Sequence, residues 1–328
     1  MVPRVRGALS AALLFLMLAL AAVPVAEAHT RLPGSQFDRY ILPGDAVFPE
    51  GIAYQRSTGD FFVSSTTDGT IYRGNVAQRT AQPFLPGNTD GRTTATGLKI
   101  DRQGRLFVCG AGSGLIFVYD TQTKALLAKL DTGSEPTTFI NDVALTHSGD
   151  AYVTDSLSPY LYRVSERAPN EFQLERLLDL RGTPVDYSTP GFKLNGIVAT
   201  RDGRFLITVQ SNTGQIFRID LATKTIMPID VGGATVFGDG LLLQGHTLDA
   251  VAALAPGQPR QIVTLRLSGD YTHARIIAAR TDPSLVFPTT IARARDRLLV
   301  VNAQFDKRGP GLSPQLPFTV SALPLPKV

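Results

Sequence analysis

The chain has 328 residues, of which 43% are hydrophobic and 18% charged, and its formal net charge at pH 7 is +4. This small excess of positive charge argues against a nucleic-acid partner, which is usually bound through a strongly basic surface. The single cysteine, Cys109, excludes an intramolecular disulfide, and its position after the apolar run Leu106–Val108 predicts a buried thiol.

The first 28 residues have the pattern of a secretory signal peptide. Arg4 and Arg6 precede an apolar run at 8–23, and Ala26-Glu27-Ala28 supplies the small residues of a cleavage site. An uncleaved membrane anchor is the alternative, although the run is short for a membrane span. We therefore expect a secreted or periplasmic protein, free of the membrane after cleavage, whose mature chain begins at His29.

A short phrase recurs six times in the rest of the chain, and a polar residue opens each copy. The copies are Glu50-Gly51-Ile52, Thr96-Gly97-Leu98, Asn141-Asp142-Val143, Asn195-Gly196-Ile197, Asp239-Gly240-Leu241 and Thr289-Thr290-Ile291. Short apolar strands separated by Gly- or Asp-containing turns follow each copy, and sustained helical periodicity is absent. Successive copies begin 44 to 54 residues apart. This period predicts an all-β protein, a six-bladed β-propeller with four antiparallel strands per blade, formed by the single domain 29–328.

Two strand-like segments remain outside the six repeats, one near each end of the chain. We expect Phe37–Leu42 and the C-terminal strand Phe318–Leu323 to share the last blade, since this pairing removes two exposed sheet edges. The longest step between copies comes from the loop Gly182–Lys193, on the same face as the polar positions. A long loop beside a site is a candidate lid, and an ordinary surface insertion is the alternative.

The opening positions of the six copies should converge around the propeller axis. Four of them, called the quartet below, are Glu50, Asn141, Asn195 and Asp239. Two carboxylates and two amide oxygens suit Ca²⁺, with Mg²⁺ second, whereas Zn²⁺ favours His and Cys. The alternative is a set of polar side chains that cap a water-filled channel. Thr96 and Thr289 offer only hydroxyls, so we expect them to form part of the wall.

These phrases resemble the calcium-binding residues of a superfamily of six-bladed propellers. It includes gluconolactonase, regucalcin (senescence marker protein), diisopropylfluorophosphatase and paraoxonase. The matching segments are Phe48–Ala53, Asn141–Ala144, Asn195–Ile197 and Asp239-Gly240. The resemblance implies a calcium-dependent hydrolase of small lactones or esters, and we expect it to act as a monomer. Glu50, Asn195 and Asp239 would bind the metal, Asn141 the metal or the substrate, and Asp239 would accept a proton from the attacking water.

One position departs from the resemblance. Sugar lactonases of this superfamily carry an arginine two residues before the Asn-Asp phrase, where this chain has Phe139. An aromatic residue there predicts a more apolar substrate pocket, to which we also assign Asn141, Phe192 and Asn302. The sequence has an aromatic residue at position 139 and no obvious general base. The alternative is therefore a non-catalytic propeller that contains a structural calcium and binds a ligand or a protein. Arg92 and Lys193, on the same face, are further candidates to meet an anionic substrate.

Overall fold

The computed structural model describes residues 1–3, 37–133 and 137–326. The predicted signal peptide at 1–28 therefore lies almost wholly outside the described residues. Among the described residues no helix has the length and apolar character needed to cross a membrane. The one helical segment in this part of the chain is a single 3₁₀ turn, Phe305–Lys307, which confirms the expectation of almost no helix.

Six antiparallel sheets of four strands each account for the described strands, and this arrangement confirms the predicted propeller. The first two blades contain β2 (Pro49–Gln55), β3 (Asp60–Ser65), β4 (Ile71–Asn75) and β5 (Gln82–Leu85), then β6 (Leu98–Ile100), β7 (Arg105–Cys109), β8 (Leu115–Asp120) and β9 (Leu126–Asp131). The third and fourth contain β10 (Ile140–Leu145), β11 (Ala151–Asp155), β12 (Tyr160–Ala168) and β13 (Glu171–Asp179), then β14 (Leu194–Ala199), β15 (Phe205–Gln210), β16 (Gln215–Asp220) and β17 (Ile226–Pro228). The fifth contains β18 (Phe237–Gln244), β19 (Thr247–Ala253), β20 (Gln261–Leu267) and β21 (Ala274–Arg280).

The sixth blade closes the ring with strands from both ends of the chain. It contains β22 (Pro288–Ala294), β23 (Arg297–Asn302) and β24 (Phe318–Pro324), and the N-terminal strand β1 (Arg39–Leu42) forms its outer edge. Strand β1 pairs antiparallel with β24, with Arg39 opposite Ser321 and Leu42 opposite Phe318. The predicted closure by the two terminal strands is therefore confirmed.

The core consists of six clusters of buried apolar side chains, each lying between two neighbouring blades of the described chain. The cluster at the closing interface contains Tyr40 from β1, Phe61 from β3 and Phe318 from β24, all fully buried. Burial of one such aromatic side chain contributes about 1.5–3 kcal/mol, so the apolar strands bind each blade to the next. Cys109 is also fully buried, as expected.

Candidate functional site

The inner strand of five blades carries a β-bulge at the polar position of the repeated phrase. In the first blade Pro49 pairs with Ser65 and Ile52 with Val63, so one extra residue lies in β2. The same one-residue excess occurs at 141–142, 195–196, 239–240 and 289–290. A bulge changes the direction of a side chain and is common beside active sites. The bulges explain how every quartet side chain leaves the regular alternation of its strand.

Hydrogen bonds between blades hold the bulged backbone in place. Thr289 Oγ1 donates to the carbonyl of Glu50 at 2.9 Å, and Thr96 Oγ1 donates to that of Ile140 at 2.8 Å. A residue outside the repeated phrase, Thr154, donates to the carbonyl of Asn195 at 2.8 Å. Thr96 and Thr289 thus use their hydroxyls to join neighbouring blades.

The quartet surrounds one cavity of about 440 Å³ at the mouth of the propeller channel. Glu50, Asn141, Asn195 and Asp239 are each at least nine-tenths buried and all line this cavity. Phe139 and Phe192 line it as well, with their rings edge to face and their centroids 4.8 Å apart. The structure therefore brings these six predicted residues together around one cavity, four of them polar and two aromatic.

Burial and like charges dominate the electrostatics of the two quartet carboxylates. Burial raises the pKa of Glu50 well above its usual range, and the negative charges of Asp239 and Asp142 raise it further. Burial also raises the pKa of Asp239, although the Arg260 guanidinium opposes this shift. Asp142, the residue after Asn141, lies 3.7 Å from the Lys99 ammonium. The site is thus a cluster of acids with too few cations around it.

Two oxygen atoms in the cavity wall have no hydrogen-bond donor. They are Glu50 Oε2 and Asn141 Oδ1, both fully buried. Ser156 Oγ fixes the amide of Asn141: it donates to the Leu194 carbonyl at 2.6 Å and therefore accepts from Asn141 Nδ2 at 2.7 Å. Buried acceptors without donors are costly, and a hard cation is the partner that oxygen atoms of this kind suit.

The donor set fits such a cation through its combination of carboxylates and amides. No group of three or more His, Cys, Asp or Glu side chains suited to hold a metal occurs among the described residues. A calcium ion at this cavity would therefore depend on the amide oxygens of Asn141 and Asn195 as well as on the two carboxylates. Calcium accepts this mixture, since it binds six to eight oxygens of either type.

Arg260 is the most important residue of the site that the sequence did not predict. Its Nη1 donates to Asp239 Oδ2 at 2.5 Å and to the Pro288 carbonyl at 3.3 Å. The guanidinium also lies over the ring of Phe287, 4.9 Å from its centroid. Arg260 ends the loop between β19 and β20, on the same face as the quartet. In a four-stranded blade this loop lies on the face where the inner strand begins, so the predicted topology could have indicated Arg260 as a site residue.

A second arginine reaches the cavity from the connection between β23 and β24. Arg308 follows the 3₁₀ turn, and Phe305 within that turn also lines the cavity. Arg308 Nη1 donates to Thr66 Oγ1 at 2.9 Å, and its guanidinium lies 5.4 Å from the centroid of Phe48. The connection between β23 and β24 does not share the pattern of the six repeats, so the repeats did not indicate that Arg308 would reach the cavity.

Asn302 does not line the cavity, contrary to the sequence-based assignment. It is fully buried at the end of β23, where its Nδ2 donates to Thr319 Oγ1 and Ser321 Oγ at 2.9 and 3.0 Å. Its Oδ1 accepts the backbone N–H of Val286 at 3.0 Å. The side chain therefore lies toward β24, and its amide joins strands of the sixth blade.

Arg92 and Lys193 also lie outside the cavity. Arg92 is fully buried and donates to the hydroxyl of Tyr119 at 3.2 Å and to the Pro86 carbonyl at 3.1 Å. Lys193 is buried too, with its ammonium 6.0 Å from the centroid of the Tyr187 ring. Both cations stabilise the loops that follow the blades, so neither meets a ligand in this cavity.

A wider depression of about 990 Å³ lies at the turns between the first and second strands of four blades. Arg102, His147 and Arg201 are among the exposed turn residues around it. It contains none of the residues predicted for a site. The chemistry is therefore concentrated at the other end of the inner strands.

Comparisons with known proteins agree with this fold. No protein-family model matches the chain. Lactonase drp35 of Staphylococcus aureus (strain bovine RF122 / ET3-1) is 25% identical over 201 residues, which cover 57% of this chain and 55% of the lactonase. The chain thus matches about half the length of this relative.

Two solved structures extend the likeness to most of the chain. The allergen Mala s 1 of Malassezia sympodialis has a TM-score of 0.62 at 17% identity, with 89% of this chain and 96% of the allergen covered. The calcium-binding protein regucalcin of Agrobacterium tumefaciens strain C58 has a TM-score of 0.58 at 17% identity, with 85% and 90% covered. The resemblance to six-bladed propellers of the gluconolactonase and regucalcin type is therefore confirmed for the fold.

Proposed function

We propose that the chain is an exported, calcium-dependent hydrolase of lactones or esters. Four side chains that meet at one cavity carry this proposal, because two of their oxygen atoms, Glu50 Oε2 and Asn141 Oδ1, are buried without a donor. The partial likeness to a lactonase supports the reaction class. The fold shared with a calcium-binding protein supports the ion.

In this proposal Glu50, Asn141, Asn195 and Asp239 hold the ion. The chemistry that bound calcium supplies is polarisation of an ester or lactone carbonyl. The protein contributes two negative charges in a largely buried setting, where electrostatic interactions are stronger than in water. Ser156 fixes the direction of the Asn141 amide and so keeps its oxygen available. Mg²⁺ fits less well because it demands near-octahedral geometry and gives up its waters reluctantly.

Asp239 is the residue we assign to proton transfer. Its carboxylate would accept a proton from the water that attacks the carbonyl carbon, and would return it to the leaving oxygen as the ester bond breaks. Burial raises its pKa, which makes the ionised carboxylate a stronger base. Arg260 Nη1 binds Oδ2 of this carboxylate. Asp239 is therefore the only quartet residue assigned both binding and chemistry.

The walls of the cavity indicate the kind of substrate. A volume of about 440 Å³ suits a small molecule. Three aromatic side chains line the cavity, Phe139, Phe192 and Phe305, and the first two contact each other edge to face. We therefore propose an ester or lactone with an apolar body, in preference to a polyhydroxylated sugar lactone.

The experiment is a panel of chromogenic esters and lactones assayed with calcium and with chelator. Turnover should require calcium, and Asp239→Asn should lower it by about 10²–10⁴-fold, the range for loss of a general base. Asp249→Asn is the matched control, since Asp249 is a buried carboxylate of the same blade that does not line the cavity. Equal turnover with and without chelator, or in both variants, would contradict the proposal.

A non-catalytic binding propeller is the second candidate, and the Arg260–Asp239 pair favours it. A carboxylate already held by a guanidinium is a weaker base than a free one. This candidate predicts that calcium raises the thermal unfolding temperature while no substrate of the panel is turned over. Glu50→Gln would then lower the stability gained with calcium and change no reaction rate.

Export is proposed on the pattern of residues 1–28 alone. Expression of the full chain in a secreting host, followed by N-terminal sequencing of the exported protein, tests it. We expect the sequence to begin at His29. Recovery of the uncleaved chain in the membrane fraction would support an anchor instead.

A further inference from the structure

We propose that Arg260 is a displaceable internal cation that competes with a metal ion for Asp239 and thereby sets the metal affinity of the site. This inference rests on the proposed calcium site. It assigns a regulatory role to a residue outside the quartet, and it makes the guanidinium and the metal alternative partners of one carboxylate oxygen.

The contact between the two side chains joins a buried acid to a partly exposed base. Arg260 Nη1 donates to Asp239 Oδ2 at 2.5 Å, and the two side chains are 25% and 7% exposed. The other partners of the guanidinium are the Pro288 carbonyl at 3.3 Å and the face of the Phe287 ring. The guanidinium is therefore the more exposed partner of this pair, while Asp239 is buried.

The origin of Arg260 makes it easy to displace. It ends the loop 254–260 between β19 and β20, and residues 255–259 of that loop are exposed. Arg105 shows the opposite case in the same protein: two carboxylates, Asp101 and Glu166, hold it at 2.6 and 2.7 Å, and its side chain is only 7% exposed. Arg260 has one carboxylate partner and an exposed loop behind it. Few contacts would be lost if its side chain left Asp239.

The guanidinium satisfies only part of the site. It pairs with Asp239, and Lys99 lies 3.7 Å from Asp142, whereas Glu50 has no direct cationic partner among the ion pairs of the described chain. Glu50 Oε2 and Asn141 Oδ1 stay without donors. A divalent cation would meet Glu50, Asn141 and Asp239 at once, and it would repel a guanidinium a few ångströms away. Metal and Arg260 therefore exclude each other at Asp239.

Calorimetric titration with calcium chloride measures this competition directly. Wild type, Arg260→Gln and Arg308→Gln would be titrated after treatment with chelator. Arg308→Gln is the matched control, because Arg308 also lines the cavity and binds Thr66 instead of Asp239. We expect Arg260→Gln to bind calcium at least roughly tenfold more tightly than wild type, the effect of losing one charge-assisted hydrogen bond. Arg308→Gln should stay within about threefold of wild type because screening by solvent weakens its field at the site.

Thermal unfolding gives a second readout that does not depend on activity. In chelator, Arg260→Gln should unfold at a lower temperature than wild type, since Asp239 loses its counter-ion. In saturating calcium, its unfolding temperature should equal or exceed that of wild type, because the metal replaces the guanidinium. If Arg260→Gln does not fold in chelator, Arg260→Lys, which keeps the positive charge, replaces it in the calcium titration. Its calcium affinity should lie between those of wild type and Arg260→Gln.

The outcomes separate this inference from the proposed function. Equal calcium affinity in wild type and Arg260→Gln, or equal gains in both glutamine variants, would overturn the competition even if calcium-dependent turnover is present. Binding by Arg260→Gln alone would support the competition and count against calcium-dependent hydrolysis by the native chain. Absence of binding in every protein would overturn the inference.

Discussion

Replacement of Gly196 by alanine tests how the repeated phrase positions the site. Gly196 follows Asn195 in the bulge of β14, and a Cβ built on it would lie 2.1 Å from the carbonyl oxygen of Asp239 and 3.0 Å from Leu241 Cγ. Both Asn195 and Asp239 belong to the quartet. The substitution therefore presses the fourth blade against the backbone of a site residue in the fifth.

The size of the effect follows from that distance. An ordinary contact begins at 3.4 Å, so the two strands must separate by about 1 Å, and both are backbone segments held in sheets. Overpacking of this kind costs about 1–3 kcal/mol. For a domain somewhat larger than 250 residues, about 1 kcal/mol shifts the unfolding temperature by roughly 2 °C or slightly less. We expect Gly196→Ala to unfold about 2–6 °C below wild type.

Thermal unfolding followed by circular dichroism, in chelator, measures this loss. Gly269→Ala is the control, because no atom lies within 4 Å of the Cβ it would gain. Its stability should stay within about 0.5 kcal/mol of wild type. Calcium titration should show weaker binding by Gly196→Ala, since the Asp239 backbone must move. If Gly196→Ala and Gly269→Ala unfold together and bind calcium alike, the glycine does not set the approach of the two strands.

Two further substitutions and one labelling experiment test other parts of the structure. Thr96→Val removes the hydrogen bonds to the carbonyls of Ile140 and Cys109, so it should lower the free energy of unfolding by about 1–2 kcal/mol in urea titrations. Burial raises the pKa of Asp249 in the folded protein above its ordinary value of 3.8. The stability that Asp249 contributes is therefore present below pH 3.8 and is lost as the pH rises through the pKa of the folded protein. Asp249→Asn should therefore gain stability relative to wild type as the pH rises above about 4, by about 1.4 kcal/mol per pKa unit of the elevation, and a constant difference would contradict this. Burial also raises the pKa of Cys109, so a disulfide reagent should label this thiol in denaturant and leave the native protein unmodified.

The fold was predictable because the same sequence pattern recurs in six repeats. Each repeat combines a polar opening residue, apolar strands of about six residues and turns rich in Gly or Asp, so an ambiguous strand in one repeat is clear in another. The closure followed from the physical cost of an unpaired edge, which left Phe37–Leu42 and Phe318–Leu323 one sensible place. The N-terminal strand β1 and the C-terminal strand β24 pair with each other in the sixth blade.

The quartet was predictable as a set of positions, whereas the bulges that direct its side chains were not. A bulge depends on the pairing of two strands, for example Ile140 with Asp155 and Val143 with Val153, and one strand alone does not reveal it. The same limit explains the error at Asn302. Both faces of a buried strand look alike in sequence, so the direction of its amide toward Thr319 was not readable.

Departure from the repeat, rather than the repeat itself, creates the chemistry of this site. The glycines at 51, 97, 196 and 240 serve one structural need, since a Cβ at any of them would lie within 2.6 Å of the neighbouring blade. Two opening positions hold threonines that join blades, and the other four hold acids and amides directed into the cavity. Arg260 then breaks the symmetry further, because it supplies from an exposed loop a cation that contacts one of the two quartet acids, Asp239. This uneven arrangement leaves Glu50 Oε2 and Asn141 Oδ1 without donors. Under the proposed metal site, a bound cation would satisfy these two oxygens, and the strength of the Arg260–Asp239 pair would set how tightly that cation binds.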